Sequence, residues 1–455
     1  MRVLAIIPPY SLTADHKAVI PAKAMLPVGI LAIASGLKQL GCEVQVCDLV
    51  FTPNWQTKLA SALKQQFDVF LLCCPSARNI PAVKLVASVL RSKFGSTRIV
   101  LGGNLCVQFG CKDFRKLGIE VNAVVRGYGH GVLPAVFRTE GDIQPSEVPA
   151  ELPLPALELL DRKTHRLYHH ACGGQYPIIG PGGFGCRFRC RYCQAHMGTP
   201  LVFRNNRSIA EEIQQAKQFG YTHLWCVDNC CLASYKSAKE FDSLVASQKL
   251  TWSGMTRPED VVNLGKNSVD VSQRLQALSA LTEIAIGVES VSKLALKRWH
   301  RTSSSSSIQK ALSYILATNR IKATAFVILD APGSTEEDFW QLREFLATTK
   351  PSTISWTFCN PSPQEILSGE RKAEEYGFYH WPFGLSEVSP ARVAQHAMIL
   401  SGESWCGWQV ARDNPYFENS RYIGVNFKNS IRLFQAKTAR ATTGNLWEAW
   451  HEEEI

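Results

Sequence analysis

The stretch Gly185-Cys-Arg-Phe-Arg-Cys-Arg-Tyr-Cys193 decides how the central part of this chain folds. It holds three cysteines, Cys186, Cys190 and Cys193, in the spacing Cys-x3-Cys-x2-Cys, directly after a glycine-rich run that reads as the end of a strand. Three thiolates on one short loop can bind three irons of a four-iron, four-sulfur cluster. The fourth iron then stays open to a small molecule, so we expect the reactive centre at this loop.

A zinc knuckle and three ordinary buried thiols are the alternatives for this loop. A structural zinc ion needs four ligands, commonly supplied by two pairs of Cys or His residues. His196 lies nearby, but no second pair follows at knuckle spacing. The sequence therefore favours the iron-sulfur cluster.

This loop resembles that of the radical S-adenosylmethionine (SAM) superfamily, in which Cys-x3-Cys-x-aromatic-Cys follows the first strand of a partial barrel. Tyr192 occupies the aromatic position and is assigned to the cofactor site, and residues 176–180 correspond to the strand. The resemblance implies that the open iron chelates SAM and that one electron from the cluster cleaves the sulfonium to a 5′-deoxyadenosyl radical. It also implies an electron donor such as flavodoxin or ferredoxin.

The first 150 residues alternate apolar strands with helical patterns, which predicts a Rossmann-like, doubly wound parallel sheet. The chain has 455 residues, of which 45% are hydrophobic and 19% charged, so it is long enough for two or three domains. The predicted strands are 3–8, 43–48, 69–74, 98–102 and 123–126, and the predicted helices are 27–40, 59–66 and 82–94.

Several turns of this first region resemble the cobalamin-binding domain that precedes the radical SAM core in cobalamin-dependent enzymes. No Asp-x-His-x-x-Gly sequence occurs, so we expect base-off cobalamin without a histidine from that motif. The family's Gly-Glu-x-Glu is replaced by Gly127-Tyr-Gly-His130, and a Rossmann-like domain that binds no corrin is the alternative. The resemblance assigns to the corrin site Pro8, Pro27, Gly29, Gly102, Gly103 and Gly127.

A second domain is predicted over residues 151–363, after an acidic, proline-rich linker at 146–161. Its strand and helix patterns alternate again, as expected of a partial (β/α)6 barrel. Residues 364–455 lose this alternation and form an aromatic-rich C-terminal region that we expect to cap the substrate site. The predicted barrel strands are 176–180, 222–227, 250–256, 283–288, 323–329 and 352–358; the aromatic residues include Trp381, Trp405, Trp408, Trp447 and Trp450.

Polar residues follow several of these barrel strands, where parallel-barrel enzymes assemble their sites. Asp228 and Asn229 follow strand two, Arg257 follows strand three, and Gly287-Val-Glu-Ser290 ends strand four. They match motifs of the cobalamin-dependent radical SAM family, and the resemblance implies that they line the SAM pocket. Arg257 would hold the methionine carboxylate, and Glu289 and Ser290 would lie near the amino or ribose groups. Arg257 and Glu289 are our catalytic candidates.

Two further features bear on function. Cys230 and Cys231 form a thiol pair next to the predicted centre; buried cysteine is usually a small hydrophobe, but a thiolate could hold a soft metalloid or the open iron. The serine run at 303–307 is predicted to be a flexible connection.

The sequence thus predicts a cobalamin-dependent radical SAM C-methyltransferase acting on a small metabolite or a peptide side chain. One alternative is non-methylating chemistry: a ring rearrangement, an oxidation, or aminocarboxypropyl transfer to a soft acceptor. Another is a non-catalytic sensor. The net charge is +10, but no run of Lys or Arg exceeds two residues, so no nucleic-acid partner is expected. We expect no membrane partner and a cytoplasmic location.

Overall fold

The computed structural model contains two parallel β-sheets, each with its own covering helices. Within the part of the chain it describes, no helix is both long and apolar enough to cross a membrane. The structure describes residues 1–12, 16–21, 24–145, 151–190, 193, 199–357, 359, 363–368, 386–389, 392–393, 396–397, 400 and 409–410.

The N-terminal sheet is parallel throughout. Its central strands are runs of Val, Ile and Leu with hardly a polar residue, because both faces of such a sheet are covered by helices. Helices α1 to α4 supply that cover. The strands are β1 (Arg2–Ile7), β2 (Ser11–Leu12), β3 (Ala18–Val19), β4 (Glu43–Asp48), β5 (Val69–Cys73), β6 (Arg98–Gly102), β7 (Ala123–Val125) and β8 (Gly141–Ile143), and the helices are α1 (Val28–Gln39), α2 (Trp55–Ala62), α3 (Ile80–Phe94) and α4 (Cys111–Lys116).

The strand order of this sheet is β4-β1-β5-β6-β7-β8, while β2 and β3 form a small antiparallel pair. The doubly wound sheet predicted from the sequence is therefore confirmed. Two details differ. Helix α2 begins at Trp55, four residues before the predicted start, because buried Trp55 anchors its first turn. The sheet also gains β8, which has only three residues and gives no clear apolar pattern.

The second sheet has the order β9-β12-β13-β14-β15-β16-β17, again parallel, and its neighbours follow chain order as in a partial barrel. Strands β10 and β11 pair beside it as a hairpin. The strands are β9 (Gln175–Ile178), β10 (Phe184–Cys186), β11 (Thr199–Val202), β12 (His223–Cys226), β13 (Thr251–Thr256), β14 (Leu281–Glu289), β15 (Lys322–Ile328), β16 (Thr353–Thr357) and β17 (Gln409–Val410), and the helices are α5 (Arg162–Ala171), α6 (Asn206–Gln218), α7 (Tyr235–Ser247), α8 (Pro258–Val262), α9 (Ser268–Gln276), α10 (Lys293–Arg298), α11 (Ser305–Leu316), α12 (Glu336–Thr349) and α13 (Pro363–Ser368).

The serine run at 303–307 is not a flexible connection, so that prediction is wrong. Ser304 is the N-cap of α11, and its hydroxyl accepts the Ser307 N–H at 3.1 Å while the Ser307 hydroxyl accepts the Ser304 N–H at 2.9 Å. Serine is favoured at this position because its side chain satisfies the free N–H groups of the first turn. The tryptophans proposed for the C-terminal cap lie outside the described residues.

One hydrophobic cluster reaches from the N-terminal region into the barrel, while most of the N-terminal core forms clusters of its own. Ile7 and Val50 of the N-terminal region pack in the same cluster as Ile178 of the barrel. Buried Tyr168 of α5 also donates a 2.6 Å hydrogen bond to Asp48 at the end of β4. Because these contacts join the carboxyl end of the first sheet to the elements that precede β9, the cavity between the two regions has fixed walls.

Candidate functional site

The cysteine loop is shaped by polar residues at the end of β12. Each oxygen of buried Asp228 accepts a 2.6 Å hydrogen bond, one from the Gly180 N–H and one from the Gly182 N–H. Asn229 donates a 2.8 Å bond to the Gly185 carbonyl, next to Cys186. A side chain at position 182 would place its Cβ 2.3 Å from the Cys230 carbonyl oxygen, so only glycine allows this close approach.

Asp228 and Asn229 thus hold the loop through its backbone, which is a positioning task. Burial raises the pKa of Asp228 to about 7, and the two N–H donors oppose that rise. Both residues contact the loop that carries the cysteines, and their place in the SAM pocket stays a prediction.

The three cysteines supply a donor set that suits an iron-sulfur cluster. Cys190 is buried and Cys186 and Cys193 are half-buried. A hydrogen bond from the Cys230 thiol lowers the pKa of Cys186 to about 6, which favours the thiolate that iron binds. Within the described ranges, no three His, Cys, Asp or Glu side chains lie close enough together to bind one metal ion. Tyr192 lies outside the described residues.

Arg257 lies against this loop. Its Nη1 donates to the Cys190 Sγ at 3.3 Å, and its guanidinium lies 3.6 Å from the centre of the Phe188 ring. The same guanidinium forms an ion pair with Glu259 at 3.1 Å and donates to the Thr302 hydroxyl at 2.9 Å. A SAM carboxylate would therefore have to replace Glu259 as the partner of Arg257.

Glu289 occupies an irregular position at the end of β14. Its φ is 60°, rare for a residue with a side chain, and the pairing with β15 shifts register between Gly287 and Glu289. Burial raises the pKa of its carboxyl group, while Arg301, with Nη1 3.8 Å from the Glu289 Oε1, opposes the rise. Glu289 and Ser290 line a separate small cavity of about 20 Å³ beside Trp299. Backbone strain of this kind is commonly kept where function needs it.

A cavity of about 1600 Å³ lies between the two sheets. In its wall the backbone of Gly103 packs closely against that of Cys74. The φ of Gly103 is 121°, and a Cβ at this position would lie 2.6 Å from the Cys74 carbonyl oxygen. The six residues that the sequence analysis assigned to a corrin all line this cavity: Pro8, Pro27, Gly29, Gly102, Gly103 and Gly127.

The cavity continues onto the inner face of the barrel. Trp225 and Phe326 form an apolar part of its wall. Beside them Thr324 donates a 2.5 Å hydrogen bond to Glu283 and contacts the hydroxyl of Thr353, and Lys322 lies on the same wall. A molecule bound here would meet both apolar and hydrogen-bonding groups.

The segment Tyr128 to His130, which departs from the family motif, joins the cavity to the cysteine loop. The Tyr128 hydroxyl accepts the Gly185 N–H at 3.2 Å, and its ring packs edge-on against Phe184 at 4.4 Å. His130 lines the cavity, and neither ring nitrogen has a hydrogen-bond partner among the described residues. The acids that are missing here are thus replaced by a structural contact and an unsatisfied imidazole.

Cys230 and Cys231 do not act as one pair. The Cys230 thiol contacts Cys186, whereas Cys231 is fully buried in the core under Gly254, where an added Cβ would lie 3.1 Å from the Cys231 Sγ. Two thiolates holding one soft acceptor do not fit this arrangement.

Some residues of the site carry no signal in the sequence. Phe188 and Glu259 enclose Arg257, Arg301 faces Glu289, and Arg204 and Glu212 form a buried ion pair at 2.6 Å behind the loop. Some of these partners are near in the chain, such as Glu259 two residues after Arg257, and others are distant, such as Phe188 and Arg257. A single sequence gives no way to pair them.

The chain matches known proteins in both sequence and fold. The model of the radical SAM superfamily matches residues 181–346. An anaerobic magnesium-protoporphyrin IX monomethyl ester cyclase from Synechocystis sp. is 22% identical over 389 residues, which cover 79% of this chain and 75% of the relative.

Two solved structures have a similar fold. The radical SAM methyltransferase TsrM from Kitasatospora setae, with tryptophan and a SAM analogue bound, matches with a TM-score of 0.57 at 14% identity, over 78% of this chain and 72% of that chain. The cobalamin-dependent SAM radical enzyme OxsB, with aqua-cobalamin and SAM bound, matches with a TM-score of 0.59 at 14% identity, over 93% of this chain and 62% of that chain.

The superfamily match implies a [4Fe-4S] cluster and SAM as cofactors, in agreement with the thiols of the cysteine loop. Residues 181–346 thus form a domain of the radical SAM superfamily, and the fold of the chain is similar to those of TsrM and OxsB.

Proposed function

We propose that this enzyme is a cobalamin-dependent C-methyltransferase acting on a small metabolite or a peptide side chain. The observation that carries the proposal is the single cavity that runs from the carboxyl ends of the N-terminal strands to the inner face of the barrel. Pockets for ordinary small ligands measure roughly 300–1,000 Å³, so about 1600 Å³ leaves room for a macrocycle and a substrate together.

The residues present fit a corrin. Glycines 102, 103 and 127 expose backbone without side chains, and Pro8 and Pro27 add flat apolar surface at strand and helix ends. Ligands of doubly wound sheets bind at these carboxyl ends. TsrM and OxsB, both solved with a cobalamin bound, support the same choice.

When bound, the cluster and SAM supply a radical that abstracts hydrogen, and cobalamin supplies a methyl group. The chain's own residues orient these groups. Asp228 and Asn229 fix the loop of the cysteines, Arg257 binds the SAM carboxylate after exchange with Glu259, and Glu289 contacts the amino group or ribose. Trp225 and Phe326, which lie further along their strands, then hold an apolar part of the substrate on the barrel wall. A flavodoxin or ferredoxin supplies the electron.

Non-methylating chemistry is the second candidate, because the curated relative is a cyclase. It uses the same cluster and SAM and differs in what becomes of the substrate radical. Aminocarboxypropyl transfer to a thiol-held acceptor loses support, since Cys230 and Cys231 contact different parts of the structure.

Anaerobic reconstitution tests the proposal. The full chain is loaded with iron, sulfide and hydroxocobalamin, desalted, and given SAM labelled on its methyl group together with candidate substrates and a reductant. Retained corrin and labelled product are expected. Cleavage of SAM with no retained corrin would exclude methyl transfer and leave the non-methylating candidate.

A further inference from the structure

His130 is a half-buried histidine whose two ring nitrogens are buried and make no hydrogen bond to the described residues. Both ring nitrogens are shielded from solvent, and neither has a partner among the described residues. A buried polar group without a hydrogen bond costs free energy on the order of 1–3 kcal/mol, so native structures rarely leave one unsatisfied. The unused nitrogens therefore point to a molecule that binds there.

Because His130 lies in the wall of the large cavity, we infer that the molecule it binds lies in that cavity. His130 lines the large cavity together with Gly127, Gly129 and Gly103. Its position is held on the N-terminal side by Tyr128, whose hydroxyl and ring are fixed by Gly185 and Phe184. The anchored segment thus places His130 in the wall beside the proposed corrin site, and its shielded nitrogens meet a ligand there when the imidazole turns towards the cavity.

The protonation state of His130 limits which chemical groups can hydrogen-bond to both of its ring nitrogens. Burial lowers its pKa to about 4, and nearby Arg204 acts in the same direction, so the imidazole is neutral near pH 7. A neutral imidazole has one N–H donor and one acceptor nitrogen. A primary amide offers the complementary acceptor and donor, whereas a carboxylate or phosphate offers only acceptors.

Coordination of a metal by His130 fits less well. A histidine that binds a metal almost always donates its other N–H to a carboxylate, a backbone carbonyl or a water. Within the described part of the chain, His130 has no such protein partner on either nitrogen.

We propose that His130 binds the rim of the corrin by hydrogen-bonding one of its side-chain amides, in place of the acids that are absent at this turn. This inference rests on the proposed cobalamin site. It makes His130 a cofactor-binding residue that a family motif would not identify.

The test measures corrin binding by the cluster-loaded full chain. The probes are cobinamide, which keeps the amides of the ring but lacks the nucleotide tail, and heptamethyl cobyrinate, in which every amide is a methyl ester. Wild type should bind cobinamide more tightly than the ester. In His130→Phe the affinity for cobinamide should fall roughly tenfold and the preference over the ester should shrink.

Two further variants serve as a rescue and a control for this result. His130→Gln keeps a donor and an acceptor and should restore part of the affinity, which a purely structural role would not produce. His300→Asn is the control, because His300 is exposed and is not among the residues that line this cavity. Its cobinamide affinity should match that of wild type.

The outcomes separate the two proposals. Wild type that retains no corrin overturns both. Wild type that binds cobinamide, with equal affinity in His130→Phe, overturns the role of His130 and leaves the cobalamin site intact. Nitrogen splitting in the electron paramagnetic resonance spectrum of the Co(II) form that disappears in His130→Phe would show coordination of cobalt and would overturn the amide contact.

Discussion

The cysteine loop and the N-terminal wall of the cavity satisfy their polar groups in opposite ways. Around the loop, Asp228, Asn229 and Arg257 all bond to protein groups. On the N-terminal wall, glycine backbone faces the cavity and His130 has no protein partner among the described residues. The loop is therefore held in place by protein groups, whereas the proposed function requires a ligand to complete the opposite wall.

The largest expected effect comes from removing the loop's thiols. Replacing Cys186, Cys190 and Cys193 with Ala should leave a soluble protein without cluster absorbance and without SAM cleavage, because no other loop of the sequence has this spacing. Iron and sulfide content and reductive cleavage of SAM measure this. Cys42→Ala, half-buried beside the N-terminal sheet, is the control. Near-wild-type iron in the triple variant would remove the basis of the cluster assignment.

Two neighbouring glycines test the opposite wall. Gly103→Ala should lower the free energy of unfolding by about 2 kcal/mol, because the added Cβ meets the Cys74 carbonyl and the φ is positive. Gly102→Ala is matched to it: it lines the same cavity, but its Cβ would meet no atom within 4 Å. Denaturant titration should separate the two variants. Equal stability of the two variants would show that the wall at Gly103 has room for a methyl group.

If the second variant is as stable as wild type, it also reports on the ligand. A methyl group at position 102 projects into the space assigned to the corrin. Gly102→Ala should therefore retain less cobalamin after desalting, although its stability is unchanged. Full retention would move the corrin away from this strand end.

How far the sequence could predict this molecule differs between the same two regions. The strands were placed to within about two residues, because buried parallel strands are continuous apolar runs. The spacing of the three cysteines predicts where the loop lies in the chain. The six residues assigned to a corrin do line one cavity. These signals are local. Strand β8 and the capping role of Ser304 were missed because three residues or one hydroxyl leave almost no pattern.

The partners of the site residues were beyond prediction for a different reason. Glu259 beside Arg257 follows it by two residues, yet nothing in the sequence says that the two side chains meet. Tyr128 bonds to Gly185 across 57 positions. Such contacts depend on how two sheets pack, which a single sequence does not encode in any periodic way.

Arg257 is paired with a protein group, Glu259, in this structure, and under the proposed function a ligand group, the SAM carboxylate, takes that place. If it exchanges Glu259 for the SAM carboxylate, Arg257→Lys should weaken SAM binding about tenfold, since lysine keeps the charge and loses the planar fork. Equilibrium binding of SAM to the cluster-loaded enzyme measures this, with the partly exposed Arg298→Lys as the control. Unchanged SAM affinity would return Arg257 to a structural role beside Cys190.

Tyr128 joins the two regions, so its hydroxyl tests whether they are coupled. Tyr128→Phe keeps the ring contact with Phe184 and removes the acceptor of the Gly185 N–H, which should cost about 1 kcal/mol of unfolding free energy. Part of the cluster should be lost more quickly on exposure to a chelator. A variant that matches wild type in both measurements would show that the loop does not depend on the N-terminal region.

The last prediction concerns His223, a half-buried histidine of strand β12. Both of its ring nitrogens have partners, the Thr251 hydroxyl at 2.8 Å and the Ser253 hydroxyl at 2.6 Å. Burial lowers its pKa from 6.5 to about 4. Between these two pH values the unfolded chain binds a proton that the folded chain does not, so the stability from neutral His223 is complete above pH 6.5 and is lost as the pH falls towards about 4. His223→Asn, which does not titrate, should therefore lose less stability than wild type over this window. Thermal unfolding midpoints of both proteins at the two ends of the window measure the difference, and parallel pH profiles would show that His223 is not the group responsible.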